Sequence, residues 1–154
     1  MIMKLAEALI ERADLQRKIS MLRSRLENNA QVQEGTAPHE EPAALMKELD
    51  ENVKRLEYLI SHINYTNATV KAKSGSSIAD LIVKRDMLAL KISALGDLLQ
   101  TASSNVRRAM HTEIKILPTV NVKSLQDKID KLSKELRLTD TEIQENNWLT
   151  DLVE

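Results

Sequence analysis

LAEALIERADLQRKISMLRSRL, residues 5–26, recurs with substitutions 73 residues later as IADLIVKRDMLALKISALGDLL, residues 78–99. Eight of the 22 aligned pairs are identical, among them Arg12 with Arg85 and Leu22 with Leu95. In both copies Leu and Ile recur at alternating spacings of three and four residues, which is the pattern of a helix with one apolar seam. The repetition indicates that the chain is built from two copies of one supersecondary unit.

A second match, at a shift of 80 residues, extends the repeat to the helices that follow. The identical pairs are Leu45/Leu125, Asp50/Asp130, Lys54/Lys134, Leu56/Leu136, Ile63/Ile143 and Asn67/Asn147. Each copy is thus predicted to be a helical hairpin, with helices at about 3–28 and 43–70 in the first copy and 77–111 and 123–148 in the second. The two shifts differ by seven residues, or one heptad, which predicts a longer first helix in the second copy with its apolar face unrotated.

The predicted fold class is all-α. Each hairpin alone leaves its apolar stripe in water, so the two tandem hairpins should pack as an antiparallel four-helix bundle or coiled coil. The absence of Phe, with one Trp and two Tyr, fits an aliphatic helix-to-helix core. Alternating apolar residues also predict a short β-hairpin near 113–122. One domain is expected over 1–154, with repeat one at 3–71, a linker at 72–77 and repeat two at 78–150.

Composition narrows the classes of function. Charged residues form 29% of the chain and nearly cancel to a net charge of −1, which argues against nucleic-acid binding through phosphate neutralisation. The sequence has no cysteine, which removes disulfides and thiolate chemistry. No segment approaches the roughly 18 uncharged apolar residues of a spanning helix, so stable membrane insertion is not expected. Charges interrupt the apolar N-terminus, unlike a secretory signal, and a cytoplasmic location is expected.

The sequence does not contain a recognisable catalytic or metal-binding pattern. His39, His62 and His111 have no partner at metal-ligand spacing, and no Glu-x-x-His pair is present. No Gly-x-Ser-x-Gly elbow or Gly-rich phosphate loop accompanies the Ser and Thr residues. We therefore expect no catalytic residues, no metal and no cofactor, and we expect that the protein is not an enzyme.

One polar constellation interrupts the apolar seams. Arg12 and Arg85 occupy the same seam position in the two copies, where a guanidinium is costly unless it is paired. In antiparallel hairpins Arg85 would lie near Asp140, and both arginines would lie near asparagines of the second helices. The predicted polar layer comprises Arg12, Arg85, Asn64, Asn67, Asn146 and Asn147. It is either a registry layer that determines which helix faces which, or a site for a small ligand or anion.

Three segments resemble motifs of a bacterial protein family often labelled septicolysin. They are INYTN (63–67), TEIKILPTVNV (112–122) and EIQENNWLTDL (142–152). The resemblance runs from the first helix to the last and implies a cytosolic, helix-rich protein whose activity is not established; the family is expected to have Arg at the position of Tyr65. The inherited label implies a thiol-activated, cholesterol-dependent cytolysin, a class with a Cys in a Trp-rich segment, whereas this chain has no Cys and one Trp.

Additional apolar residues flank the seams and widen the apolar stripes. They are Leu9, Ile10, Val53, Ile60, Ile82, Leu90 and Leu98. Burying them calls for a second chain, which predicts a homo-oligomer. The leading interpretation is a non-enzymatic helical scaffold or protein-interaction protein, with other copies of itself or an unidentified protein as partner. The alternatives are a membrane-active helical toxin, as the septicolysin label suggests, and a bundle that binds a small ligand or anion.

Overall fold

The described part of the chain, residues 2–104 and 114–154 of a computed structural model, folds into four α-helices. They are α1 (Leu5–Asn28), α2 (Pro42–Thr69), α3 (Ile78–Ser103) and α4 (Val122–Leu149). Helix α1 packs along α2, and side-chain ion pairs join α3 to α4. The predicted all-α class and the two predicted helical hairpins are confirmed.

The chain divides into two compact units, Met1–Lys71 with Glu145–Glu154, and Ala72–Gln144. The first unit holds the hairpin of α1 and α2 together with the C-terminal end of α4. The second unit holds α3 and the greater part of α4. The expectation of one domain over residues 1–154 stays a prediction.

Local chemistry determines where the helices begin. Pro42 is the first residue of α2, where its fixed φ suits a helix and its missing N–H would have no helical partner. The Ser77 hydroxyl caps α3 by accepting the backbone N–H of Asp80 at 3.1 Å. At the start of α1 the Glu7 carboxylate accepts the backbone N–H of Lys4 at 2.7 Å. Each start therefore follows from residues visible in the sequence.

Helix α3 is shorter than predicted. The seam pattern extended it to residue 111, but it ends at Ser103, and Ser104 is extended with φ −62° and ψ 138°. The Ser103 and Ser104 hydroxyls donate to the carbonyls of Leu99 and Thr101, a local bonding pattern that competes with helix continuation. Helix α1 has 24 residues and α3 has 26, so α3 exceeds α1 by two residues and not by a whole heptad. Residues 105–111 of the predicted helix lie outside the described ranges.

The predicted β-hairpin near 113–122 lies partly outside the described ranges as well. Within the described residues 114–121 the chain has no strand, and Lys115 is a single bridge residue. Helix α4 begins directly afterwards, at Val122. In residues 114–121 the alternation of apolar residues does not produce a strand pair. A stable β-ladder needs several consecutive paired residues.

The seams form the cores of the two hairpins, and they differ in burial. In the first unit Leu5, Leu22 and Leu59 are fully buried or nearly so. In the second unit Ile78 is fully buried, yet Leu95, the repeat equivalent of Leu22, is only half-buried. Beyond the first turns of α3 its seam residues keep some contact with solvent, which makes the second hairpin the less completely covered of the two.

Equivalent segments close the two hairpins beside the first turns of α1 and α3. In the first unit the Leu152 N–H donates to the Met3 carbonyl at 2.8 Å, and in the second unit the Ala72 N–H donates to the Ser76 carbonyl at 2.8 Å. Leu152 corresponds to Ala72 at the shift of 80, and Met3 corresponds to Ser76 at the shift of 73. The residues after α4 therefore form a backbone hydrogen bond to the start of α1, just as the residues after α2 do to the start of α3.

Candidate functional site

The predicted polar layer is distributed over both units. Helix α1 carries Arg12 half-buried, and α2 carries Asn64 exposed and Asn67 half-buried. On the last turns of α4, Asn146 is half-buried and Asn147 is buried. These five residues belong to the first unit, whereas Arg85 belongs to the second.

The two seam arginines have different surroundings. Arg85 places Nη1 3.5 Å from Asp140 Oδ1 on α4 and donates from Nε to Asp86 at 3.2 Å. The predicted proximity of Arg85 and Asp140 is confirmed. The repeat equivalent of Asp140 is Ile60, so the first hairpin does not offer Arg12 a carboxylate at that position. A shared role for the two arginines in one ligand site does not follow from their common sequence position.

Thr66 is a buried polar residue that connects the C-terminal residues to α2. Its side chain is fully buried, and Oγ1 donates to the His62 carbonyl at 2.7 Å while accepting the Val153 N–H at 2.9 Å. At the next position of α2, Asn67 Oδ1 is buried and has no hydrogen-bond partner among the described residues. Sequence reasoning noted the polar end of this seam but could not detect a contact between residues 87 positions apart.

An aromatic surface, defined by Tyr58, His62 and Tyr65, lies on the outer side of α2. The rings of Tyr58 and His62 stack with centroids 3.9 Å apart, and the Arg55 guanidinium lies 5.3 Å from the centre of the Tyr58 ring. His62 Nδ1 is 2.7 Å from the Tyr58 carbonyl. Ser61, His62, Tyr65, Val153 and Glu154 line an open cavity of about 330 Å³ beside these rings.

The protein keeps its aromatic side chains at the surface. Its two tyrosines, Tyr58 and Tyr65, and its one tryptophan, Trp148, are all exposed. Such large side chains normally contribute much of a core, and Tyr and Trp are enriched where proteins bind one another. The spacing of Tyr58, His62 and Tyr65 by four and three residues was the available sequence signal, because it places the three on one helix face.

One ion pair occurs in both hairpins with its charges exchanged. In the first, Arg55 donates from Nε and Nη2 to the two Glu11 oxygens at 2.7 and 2.9 Å, and this hydrogen bonding lowers the pKa of Glu11. In the second, Lys84 Nζ lies 3.3 Å from Glu135 Oε1. Lys84 is the repeat equivalent of Glu11, and Glu135 is that of Arg55. Pairing α1 with α4 at this level would oppose two carboxylates, so the polarity favours the observed pairing of helices.

Helix α3 has a second apolar face in addition to its seam. This outer face consists of Val83, Met87, Leu90, Ala94 and Leu98. Val83, Met87, Leu90 and Leu98 are exposed by 59%, 54%, 63% and 41%. At 100° per residue these positions centre on the side of α3 roughly opposite its seam. The outer face is thus an uncovered apolar stripe on a helix whose other side already packs against α4.

Comparison with known proteins places the chain in a family. The model described as "Family of unknown function (DUF6847)" matches residues 12–152. The chain belongs to this family. A crystal structure of a functionally unknown conserved protein from Corynebacterium diphtheriae is 37% identical, with a TM-score of 0.88, covering 99% of this chain and 100% of that one. No curated protein matches the chain.

Membrane spans and metal clusters are both absent from the described part of this DUF6847 chain. Among the helices that the structure describes, none is both long and apolar enough to span a bilayer. Across residues 2–104 and 114–154, no cluster of three or more His, Asp or Glu side chains is arranged to hold a metal ion. Two surfaces stand out in this DUF6847 member, namely the aromatic surface of α2 and the outer face of α3.

Proposed function

We propose that the protein is a non-enzymatic helical scaffold that acts by binding other protein chains, in the first place further copies of itself. The observation that carries this proposal is the exposure of apolar side chains beside the seams. Of the flanking residues singled out in the sequence, Ile10, Val53, Ile60, Leu90 and Leu98 are exposed, while Leu9 and Ile82 are half-buried. Folding of the single chain leaves this apolar surface in contact with water.

Association with another chain would remove this apolar surface from water. Burying a fully exposed Leu or Val side chain completely contributes roughly 1.5–3 kcal/mol, and a partly exposed one such as Leu98, at 41%, contributes a corresponding part of this. Several such residues, together with the exposed Tyr65 and Trp148, are enough to drive specific association even after its entropic cost. Isolated exposed apolar residues are ordinary on any protein, but a contiguous stripe such as the outer face of α3 is typical of an interaction surface.

The chemistry of the aromatic surface also favours binding over catalysis. Ser61 and His62 are adjacent on a helix and so point about 100° apart, which does not suit a nucleophile and its base. The His62 Nδ1 atom is already close to the carbonyl of Tyr58 on its own helix. A stacked tyrosine and histidine beside an arginine suit contact with another molecule better than proton transfer.

Light scattering tests this function directly. At micromolar concentration the protein is expected to show a mass that is a multiple of the 17.4 kDa chain. A mass of one chain, combined with no partner recovered by pull-down from cell extract, would contradict the scaffold. Fractionation should find the protein in the cytoplasm.

The membrane-active alternative follows from the septicolysin resemblance and from the same exposed apolar residues. Dye release from cholesterol-containing liposomes separates it from the scaffold. We expect no release at micromolar protein, because the apolar faces would be covered by other chains rather than by lipid. Release that depends on the outer face of α3 would support the toxin and overturn the scaffold.

A further inference from the structure

We propose that the outer face of α3 pairs with the outer face of α3 in a second copy of the chain, with the two helices parallel and in register. This inference rests on the proposed function and specifies which surface and which geometry produce the oligomer. Within this face Val83, Met87, Leu90 and Ala94 are spaced by four, three and four residues. That is the spacing of consecutive core positions in a two-stranded coiled coil.

The repeat supplies an internal comparison for this face. At the shift of 73, Met87, Leu90 and Leu98 correspond to Asp14, Arg17 and Arg25 of α1, whereas Val83 and Ala94 correspond to the exposed apolar residues Ile10 and Met21. Those charged residues are satisfied in solvent, since Arg17 lies 3.3 Å from Asp14 and Arg25 pairs with Glu40. The first repeat is therefore charged at three of the five positions of this face and apolar at two. The second repeat has apolar residues in the same places.

Burial along α3 agrees with a missing partner. Its buried residues are Ile78 and Leu81, both at the beginning of the helix. From Val83 to Leu98 the helix is apolar on two sides, and its residues are exposed or half-buried. A helix with apolar residues on two sides normally packs against neighbouring helices or chains on both of those sides. Helix α4 covers the seam, and the proposed second copy covers the outer face.

Charge identifies the partner and the direction. Asp86 and Lys91 lie on opposite sides of the outer face, five residues apart. In a parallel, in-register pair this spacing sets Asp86 of each copy against Lys91 of the other, giving two attractive contacts. In an antiparallel pair, sides of equal charge meet, with Lys91 close to Lys84 or Lys91 of the second copy. Asp86 is 57% exposed, and among the described residues its ion-pair partner is Arg85, so its carboxylate has room for a second cation.

Cysteine crosslinking tests the register, because the natural chain has no cysteine. Met87→Cys should form a disulfide-linked dimer in most of the oxidised protein, since equivalent core residues of parallel helices approach within disulfide range. Ala89→Cys is the matched control; Ala89 is exposed on the same helix but away from the outer face, and should stay largely uncrosslinked. If Met87→Cys does not crosslink by itself and forms a disulfide only when it is mixed with the Ala94→Cys variant, Met87 does not face Met87 of the second copy. That result would overturn the parallel, in-register arrangement.

Charge and apolar substitutions test the surface itself. Leu90→Glu should weaken self-association at least 100-fold, whereas Arg17→Glu, at the equivalent position of α1, should leave it unchanged. Asp86→Lys should weaken it about tenfold, and adding Lys91→Asp should restore it. All these side chains are exposed, so circular dichroism should report unchanged helix content.

The outcomes separate this inference from the function on which it rests. An oligomeric mass without crosslinking of Met87→Cys, or an oligomer that survives Leu90→Glu, overturns the α3 pairing while leaving the scaffold intact. A single-chain mass at micromolar concentration overturns the pairing and counts against self-assembly altogether. Binding of the wild-type monomer to lipid vesicles that Leu90→Glu abolishes would assign the outer face to a membrane surface and also overturn the pairing.

Discussion

Glu11 and Arg55 face each other across the first hairpin through two hydrogen bonds, of 2.7 and 2.9 Å. Their equivalents in the second hairpin, Lys84 and Glu135, form the same pair with the charges exchanged. An exposed ion pair contributes only about 0.2–1 kcal/mol to stability. The pair has a larger effect on which helices pack together, because helices exchanged between the hairpins would bring like charges together at this level. An ion pair beside the seam thus favours the pairing of α1 with α2 and of α3 with α4.

Reversing one charge of this pair should destabilise the first hairpin. Arg55→Glu replaces an attraction by a repulsion, and we expect a loss of about 1 kcal/mol, or roughly 3 °C in melting temperature. The double variant Glu11→Arg with Arg55→Glu should recover most of the loss. Lys54→Glu, the same change of charge at the exposed neighbouring position, should have little effect. Equal losses in Arg55→Glu and Lys54→Glu would show that net charge, and not the pair, is responsible.

The same pair should make part of the stability depend on pH. Hydrogen bonding to Arg55 lowers the pKa of Glu11 from its ordinary value of 4.5. A carboxylate with a lower pKa in the folded state stabilises the fold above its unfolded pKa, and this stabilisation is lost as the pH falls through the folded pKa. Urea unfolding should therefore show Glu11→Gln less stable than the wild type at pH 7. The difference should shrink as the pH falls through the lowered pKa of Glu11 in the folded state.

The size of this difference is limited by solvent, because the Glu11 side chain is one third exposed. We expect less than about 1 kcal/mol at pH 7 and less again in high salt. A gap between wild type and Glu11→Gln that is the same at pH 7 and pH 3 would mean that Glu11 contributes through packing, not through its charge.

The buried hydroxyl of Thr66 should be needed to hold the C-terminal residues. Thr66→Val keeps the volume but removes the acceptor of the Val153 N–H, and we expect a loss of about 1–3 kcal/mol. Thr66→Ser keeps the hydroxyl and should restore the bond, with a smaller loss from the missing methyl group. Hydrogen exchange at the Val153 amide reads this contact directly. It should speed up in Thr66→Val, and unchanged protection would show that the bond is dispensable.

The equivalence of the two hairpin-closing segments predicts that the chain tolerates circular permutation. A variant that joins residue 154 to residue 1 through a copy of the loop around Gly75, and opens between Ser74 and Gly75, keeps the four helices in their order around the closed chain. Gly75 has φ +86°, so the new connection needs a glycine at that place. We expect helix content and melting temperature close to those of the parent chain. Opening between Leu59 and Ile60, inside α2, is the control and should prevent folding.

Local periodicity was sufficient for much of this fold. The hairpins follow from seams such as Leu5 to Leu22 and from the breaker Pro42, and the proximity of Arg85 to Asp140 follows from antiparallel packing. The end of α3 could not be read in this way, because apolar spacing continues past Ser103 while hydroxyl side chains compete for its last carbonyls.

The sites were harder to predict than the helices. The bond from Val153 to Thr66 depends on where the chain returns after α4, which no local window of sequence contains. Arg12 and Arg85 looked equivalent because they share a repeat position, but Asp140, which pairs with Arg85, has the apolar Ile60 as its repeat equivalent. A repeat conserves the positions of side chains and leaves their partners free to change. The exchanged charges of Glu11 and Lys84 illustrate the same point.

The hydrogen bond between Leu152 and Met3 has an evolutionary consequence. An ancestor consisting of one hairpin has one first helix and one segment after its second helix. The residues before the first helix need a hydrogen-bonded partner segment, like the residues that follow α2 and α4 in this chain. Two copies of that ancestor could close each other by exchanging their final residues, as a homodimer. Gene duplication and fusion would then turn one intermolecular closure into the loop from Ala72 to Ser76 and leave the other as the contact between Met3 and Leu152. On this history, the contact between Met3 and Leu152 and the loop from Ala72 to Ser76 descend from one and the same contact.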